Sequence, residues 1–328
     1  MKFYISSWAI LSLIMPFCLV AQDVESFHAN LASKSLLLDI SRTENQLVVV
    51  GERGHILRSS DGDVWQQVAV PSVATLTAVY FIGDQGWAVG HDATILFSQD
   101  AGLSWQVQYS DPDFDRPLLD VLFLDKQTGI AIGAYGIFFR TIDGGLNWIR
   151  ELHPEFVSAL DRDYLDEIRL EDEAFYLQEM NSILPHLNRI SQSGDTLYIA
   201  GEAGLLAFSE DQGLSWTRMD IDYSGSFFDI AETDSGRLLA SGLRGHLFEF
   251  DKQQQVWDRL ETGTKSSLNS IVTIDDNHTL IVGNNGNIVE LNGNQITLRQ
   301  TKDSKAINNA MSFGQRLIAV TGDGIKHL

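Results

Sequence analysis

Along most of the chain, apolar positions fall in short alternating runs closed by glycine or aspartate, as in "LTAVYFI", "GWAVG", "TILFS" and "SWQVQ" between Leu76 and Gln108. Alternation of this kind, rich in β-branched and aromatic residues, predicts half-buried strands rather than helices. The four-run unit recurs around a glycine turn at Gly51, Gly90, Gly133, Gly201, Gly242, Gly283 and Gly322, in steps of 39, 43, 68, 41, 41 and 39 residues. A period near forty with four strands per copy predicts a β-propeller blade, and seven copies predict an all-β, seven-bladed propeller occupying residues 22–328 as one domain. Solenoids of helix pairs share this period but require a 3.6-residue rhythm that the copies lack. The last copy stops after its third strand at "IKHL", while Asp23 to Leu31 precede the first complete copy. The two ends are therefore expected to complete one blade and so hide its edge.

The long step contains an insertion between the third and fourth copies, Leu152 to Pro185 (152–185). Phe156, Leu160, Tyr164, Ile168 and Tyr176 recur after Pro154 at four- or eight-residue spacing, which predicts an amphipathic helix or helix pair. Nine acidic residues lie between Leu152 and Met180, against Arg162 and Arg169. The segment is expected to be an acidic arm, dispensable for folding, whose Asp163, Asp166, Glu167, Glu171 and Asp172 meet a basic partner. A solvated acidic side on a packed helix is the plainer alternative.

The stretch "SQDAGLSW" at Ser98 to Trp105 returns as "TIDGGLNW" and "SEDQGLSW", and one residue shorter as "SSDGDVW", where Asp63 replaces the glycine. Repetition argues for a joint rather than an active site. Asp61, Asp100, Asp143 and Asp211 can accept turn N–H groups, glycine supplies a backbone costly to other residues, and Trp105, Trp148 and Trp216 can bury their rings. Later copies degrade, with "EFDKQQQVW" stretched and "ELNGNQIT" lacking tryptophan.

These residues resemble the Asp-box, or bacterial neuraminidase repeat. With the preceding "GWAVG" run, nearly the whole mature chain resembles the photosystem II stability/assembly factor-like propellers, as a member from a non-photosynthetic bacterium. The resemblance implies a non-catalytic exported assembly or binding factor. It also implies that the Asp-box turns share one face, while the glycine turns lie on the other with the blade-to-blade connections. On that second face the candidate partner-binding residues are Glu52, Arg53, His91, Asp92, Tyr135, Glu202, Arg244, Asn284, Asn285 and Asp323, whose chemistry changes from blade to blade while the glycine stays.

Residues Trp8 to Val20 form an apolar run after Lys2 that ends at Ala21 before "QDVES", the pattern of a secretory leader (residues 1–21) cleaved near Ala21. A periplasmic or secreted protein is expected, and Cys18, preceded by "IMPF", lacks the small neighbour of a lipoprotein site. Cys18 is the only cysteine, so no disulfide would hold the exported chain. Without Lys2, 22 basic residues face 44 acidic ones, a net charge of −22 that repels nucleic acid and anionic lipid. The expected partner is instead an envelope or membrane protein complex, bound by a monomer.

No catalytic, metal or cofactor residues are assigned. Asp111, Asp113 and Asp115 in "DPDFDRP" start like a calcium loop, but Arg116 and Leu122 stand where Gly and Glu are needed. His55, His91 and His246 are too dispersed for a metal and are read as surface residues. The alternative function is a sialidase-like glycoside hydrolase, prompted by the Asp-boxes and abundant carboxylates. No "FRIP"-type start motif accompanies them, and such enzymes have six blades.

Overall fold

In the computed structural model, which describes residues 25–328, 27 strands form seven antiparallel meanders arranged as a propeller. Six blades have four strands. Among the described residues the seventh has three, Ile307–Phe313, Arg316–Thr321 and Gly324–His327. The leader read at residues 1–21 and Asp23 lie outside the described residues. The innermost strands, Leu37–Arg42, Leu76–Ile82, Leu118–Phe123, Leu187–Ser193, Phe227–Glu232, Leu268–Asp275 and Ile307–Phe313, line a central channel of about 820 Å³. The core lies between blades: Val48, Val50 and Ile56 of blade one pack on Leu76, Val79 and Ala88 of blade two. Leu37, Ile40 and Leu47 meet Ile318 and Val320 of blade seven and close the ring.

Each Asp-box is a turn held by its own side chains. Thr141 Oγ1 donates to Asp143 Oδ1 (2.8 Å) and accepts the Gly145 N–H (2.9 Å). The carboxylate then accepts both the N–H of Asn147 (2.9 Å) and its side-chain amide (2.7 Å). Asp100 and Asp211 repeat this with Ser104 and Ser215, and the shorter Asp61 turn takes the N–H groups of Asp63 and Val64. These donors favour the ionised form: the Ser215 hydroxyl and N–H, with the Ser209 hydroxyl, bring Asp211 down to about 2. The joints also bind neighbouring blades, because Arg58 Nε donates to Ala101 O (2.9 Å) and Arg140 to Gln212 O and Gly213 O (3.0 and 2.6 Å).

Trp105 and Trp216 are buried and donate to Gly102 O and Gly213 O, both at 3.1 Å. Trp148 differs from the sequence expectation: it is half-buried, stands edge-on to Phe123 at 5.8 Å, and its Nε1 has no hydrogen-bond partner among the described residues. Removing the turn's acceptor is expected to loosen the joint without opening the ring. Asp143→Ala should lower Tm by about 2–5 °C in calorimetry. Trp216→Ala should lower it further than Trp148→Ala, and an unchanged Asp143→Ala transition would refute the joint.

The expected pairing of Asp23 to Leu31 with the last blade does not form in its described part. "ESFHANL" lacks strand alternation, and Ser26 instead bonds Val70 of blade one in both directions, N–H to O at 2.8 Å and Oγ from the Val70 N–H at 3.0 Å. Gln67 secures Ala29 and Phe27. Blades seven and one are joined by other means: Asn308 Nδ2 donates to Leu37 O (2.7 Å), and Arg316 reaches Asp63 and Asp61 O.

The insertion is a helix pair, α1 (Ala159–Glu171) and α2 (Glu173–Ile183), as its spacing predicts. Its packing is not that of a free arm. Phe156, Leu165, Tyr176, Met180 and Leu184 join one core with Ile130 and Phe138 of blade three and Leu187, Ile199 and Trp216 of blade four. Of the expected apolar stripe, Phe156 and Tyr176 are buried, Ile168 is half-buried and Tyr164 is exposed. Leu160 lies outside the described side chains. The buried positions shift because α1 turns Leu165 inward, and Asp172 ends it while accepting the Ala174 and Phe175 N–H groups that start α2.

Candidate functional site

The glycine turns are one backbone shape used repeatedly. A Cβ at Gly51 would lie 2.2 Å from Leu36 O, and Gly90, Gly133, Gly201, Gly242 and Gly283 abut the preceding connection in the same way, so only glycine fits. Two residues later the chain enters the left-handed region at Arg53 (φ 56°), Asp92 (58°), Tyr135 (52°), Ala203 (52°), Arg244 (57°) and Asn285 (58°). A side chain there opposes the turn, by about 1 kcal/mol. That six blades keep it with five residue types shows that the scaffold, not the apex residue, imposes the shape. All six apex side chains are exposed.

Blade seven corrects the sequence register. Thr321 pairs with Ile307 as Gly51 pairs with Leu37, so Gly322 sits one position beyond the repeated glycine. Asp323 is still on the turn, 2.8 Å from Lys305 Nζ.

The candidate residues divide by what they touch. Glu52 is half-buried and accepts the Leu36 N–H (3.3 Å), Glu202 faces His186 Nδ1 at 3.6 Å, Asn284 accepts from Asn269, and Asn285 donates to Ser266. These tie the turns to neighbouring connections. Arg53, His91, Asp92 and Arg244 are exposed and, among the described residues, make no side-chain hydrogen bond or ion pair. Tyr135 stands edge-on to His186 at 4.5 Å with the Arg116 guanidinium 5.1 Å above its ring. The insertion returns beside it, where Gly136 N–H bonds Pro185 O (2.9 Å). Tyr135, Phe156, Leu184, His186, Glu202 and Arg218 line a cleft of about 200 Å³. Asp163, Asp166, Glu167, Glu171 and Asp172 are all exposed, with Asp166 lining a cleft shared with Trp216 and Arg218 of blade four and Asp172 capping α2. His55, read as a surface residue, is buried beside Gln67, and burial holds its pKa below the usual histidine value.

The channel wall holds polar residues that sequence reasoning missed. The innermost strands begin "LLDI", "LTAV", "LLDV", "LNRI", "FFDI", "LNSI" and "INNA", and a bulge near the start of each re-aims the residues that follow. In blades one, three and five the third residue is aspartate. Asp39, Asp120 and Asp229 accept the N–H of Val79, Ile190 and Ile271 in the next blade at 2.8, 2.8 and 2.7 Å. In the other blades the second residue makes the bridge, with Thr77, Asn188, Asn269 and Asn308 donating to Leu118, Phe227, Ile307 and Leu37 carbonyls. Every blade junction is thus crossed by a polar bond. Comparing the first strands of the copies with one another was the signal that could have found this belt.

Arg189 lies between Asp120 and Asp229, 3.5 Å from an oxygen of each. Burial works against its charge, but Asp120, Asp229 and Asp39 around it raise its pKa and keep it protonated. Burial pushes Asp120 up to about 7 despite Arg189, and Asp39 is also raised by burial.

Seven antiparallel blades with Asp-box joints and variable residues on a repeated turn define an Asp-box β-propeller. The profile of the family described as photosynthesis system II assembly factor YCF48 matches residues 20–112 and 107–224, and the chain belongs to that family. The photosystem II assembly lipoprotein Ycf48 of Synechococcus sp. (strain CC9902) is 23% identical over 287 residues, covering 79% of this chain and 86% of its own. A structure described as YCF48 bound to D1 peptide superposes with a TM-score of 0.67 at 18% identity, covering 89% of this chain and 92% of that one. YCF48 from Cyanidioschyzon merolae gives 0.67 and 18%, covering 89% and 95%.

Proposed function

We propose that this protein is an exported, non-catalytic binding factor that holds a protein subunit of a bacterial cell-envelope or membrane complex during assembly. The observation that carries this reading is the glycine-turn face, where one rigid backbone shape presents a different exposed side chain in successive blades. Recognition by such a face needs little ordering of its backbone on binding. Membership of an assembly-factor family supports the reading, as does the description of one structural relative as bound to a peptide. The acidic side of α1 adds a surface suited to a basic region of the same partner, beside the Tyr135 cleft. The belt carboxylates are committed to blade contacts, which disfavours the glycosidase alternative in the channel.

The test places a photocrosslinking residue at Arg244 in the native host and identifies what it captures. A defined envelope protein is expected, and its capture should fall at least tenfold in an Arg53→Ser, His91→Ser, Tyr135→Ser variant of parental Tm. Changing Asp163, Asp166, Glu167, Glu171 and Asp172 to amides should reduce the salt sensitivity of capture. Undiminished capture by the triple variant would remove the face from the proposal. Turnover of fluorogenic glycosides by the purified protein would replace the proposal with the hydrolase.

A further inference from the structure

The opposite face carries an apolar pattern that the glycine-turn reading leaves unexplained. The residue after the Asp-box glycine is aliphatic and open to solvent in blades two to four: Leu103 is 62% exposed, Leu146 80% and Leu214 65%. In blade one the shorter box puts Gly62 at the glycine's place and Asp63 at the tip, since Gly62 N–H bonds Ser59 Oγ and Trp65 Nε1 bonds Gly62 O as in the longer boxes. Single exposed leucines are ordinary on protein surfaces. Here the same structural position is apolar in three consecutive blades, and Ile142, 71% exposed, widens the row in blade three. The row ends there. In blades five and six the corresponding turns carry Gln254 and Gln255, and Asn292, Gly293 and Asn294. The aliphatic tips therefore form an arc on one sector of the Asp-box face.

None of these side chains is needed by the turn that bears it. The joint is made by the Ser or Thr, the Asp, the glycine and the residue after the tip, while the tip side chain points away from all of them into solvent. An aspartate three residues before each of these tips also fixes negative charge beside it, since the hydrogen bonds to Asp143 and Asp211 hold those carboxyls below their usual range. Exposed Asp84 and Glu210 add to this charge. Arg58 and Arg140 are turned into blade junctions, which leaves Lys126 as an exposed cation beside the blade-three joint.

We propose that this arc is a second docking surface, and that its occupant is a polypeptide segment rich in both basic and apolar residues, laid across blades two to four. The apolar side chains of such a segment would cover the three tips, while its lysines or arginines would meet the flanking carboxylates. Charge selects this occupant over two others. An anionic lipid surface would be repelled, and a second copy of the same face would bring like carboxylates together. The arc lies across the propeller from the glycine turns, so this inference stands or falls separately from the proposed function.

The test measures binding of a fluorescein-labelled amphipathic Lys/Leu peptide by anisotropy, with a Glu/Leu peptide and phosphatidylcholine and phosphatidylglycerol vesicles as rival probes. The triple variant L103Q/L146Q/L214Q keeps the net charge and, because the side chains are exposed, should keep the parental Tm. Its affinity for the Lys/Leu peptide should fall about 100-fold, as expected for three leucines partly covered on binding. If the triple variant is unstable, L146Q alone should show a loss of about fivefold. The glycine-turn triple variant should bind the peptide normally. Equal binding by L103Q/L146Q/L214Q and parent would reduce the effect to general charge attraction and overturn the proposal. Tip-dependent binding to phosphatidylglycerol vesicles, or tip-dependent self-association, would overturn it in favour of the corresponding occupant.

Discussion

Arg189→Met is expected to destabilise the propeller by about 3–5 kcal/mol near neutral pH, because it removes the cation standing between Asp120 and Asp229 and leaves both carboxylates in the channel wall without it. The loss has a pH signature. A carboxyl whose folded-state pKa lies above its unfolded value contributes stability at low pH that disappears as pH rises through the folded value. Asp120, pushed up to about 7, therefore makes the parent less stable between pH ~4 and ~7. Without Arg189 its pKa and that of Asp39 rise further, so the variant should lose most at neutral pH and recover towards the parent near pH ~5. Urea unfolding at the two pH values measures both. A pH-independent change below about 1 kcal/mol would show that Arg189 is a passive occupant of the channel.

Phe156→Ala is expected to cost a similar amount, about 3–5 kcal/mol, since the ring is fully buried between His153 and Trp216, 5.5 and 5.6 Å away. The Phe156 carbonyl also accepts from Arg218 Nη1 at 2.8 Å, so the turn before α1 is bonded directly to the outer strand of blade four. Replacing 152–185 by a Gly/Ser linker should then lower Tm sharply or prevent folding, whereas a free arm would leave it unchanged. Thermal unfolding of both variants decides the matter. The amide variant of the five acidic residues should melt close to the parent, because, among the described residues, four of those side chains face solvent without a structural bond and Asp172→Asn keeps an oxygen able to accept the Ala174 and Phe175 N–H groups.

Seven copies, their four-strand alternation, the Asp-box joints and the helix pair could all be read from the chain, because each is set by residues close in sequence. Asp143 and Thr141 close their turn over two residues, and the Ser158 and Asp172 caps act within the first turn of their helices. The apex residues could be located from the glycine spacing alone. Their freedom could not, since it depends on whether Glu52 reaches Leu36 or Asn285 reaches Ser266 across a connection.

Decisions between distant segments belonged to the tertiary structure. Ser26 chose Val70 over the last blade, and the insertion became core because Phe156 and Met180 found a gap between blades three and four. Asp39, Asp120 and Asp229 acquired their roles only when a neighbouring strand, 40 to 70 residues away, set an amide against each carboxylate. Local pattern determines a turn or a strand because its partners are neighbours on the chain. Which blade meets which, and therefore which charges are buried and which remain for a partner, depends on ring closure, an energy shared by residues that the sequence keeps far apart.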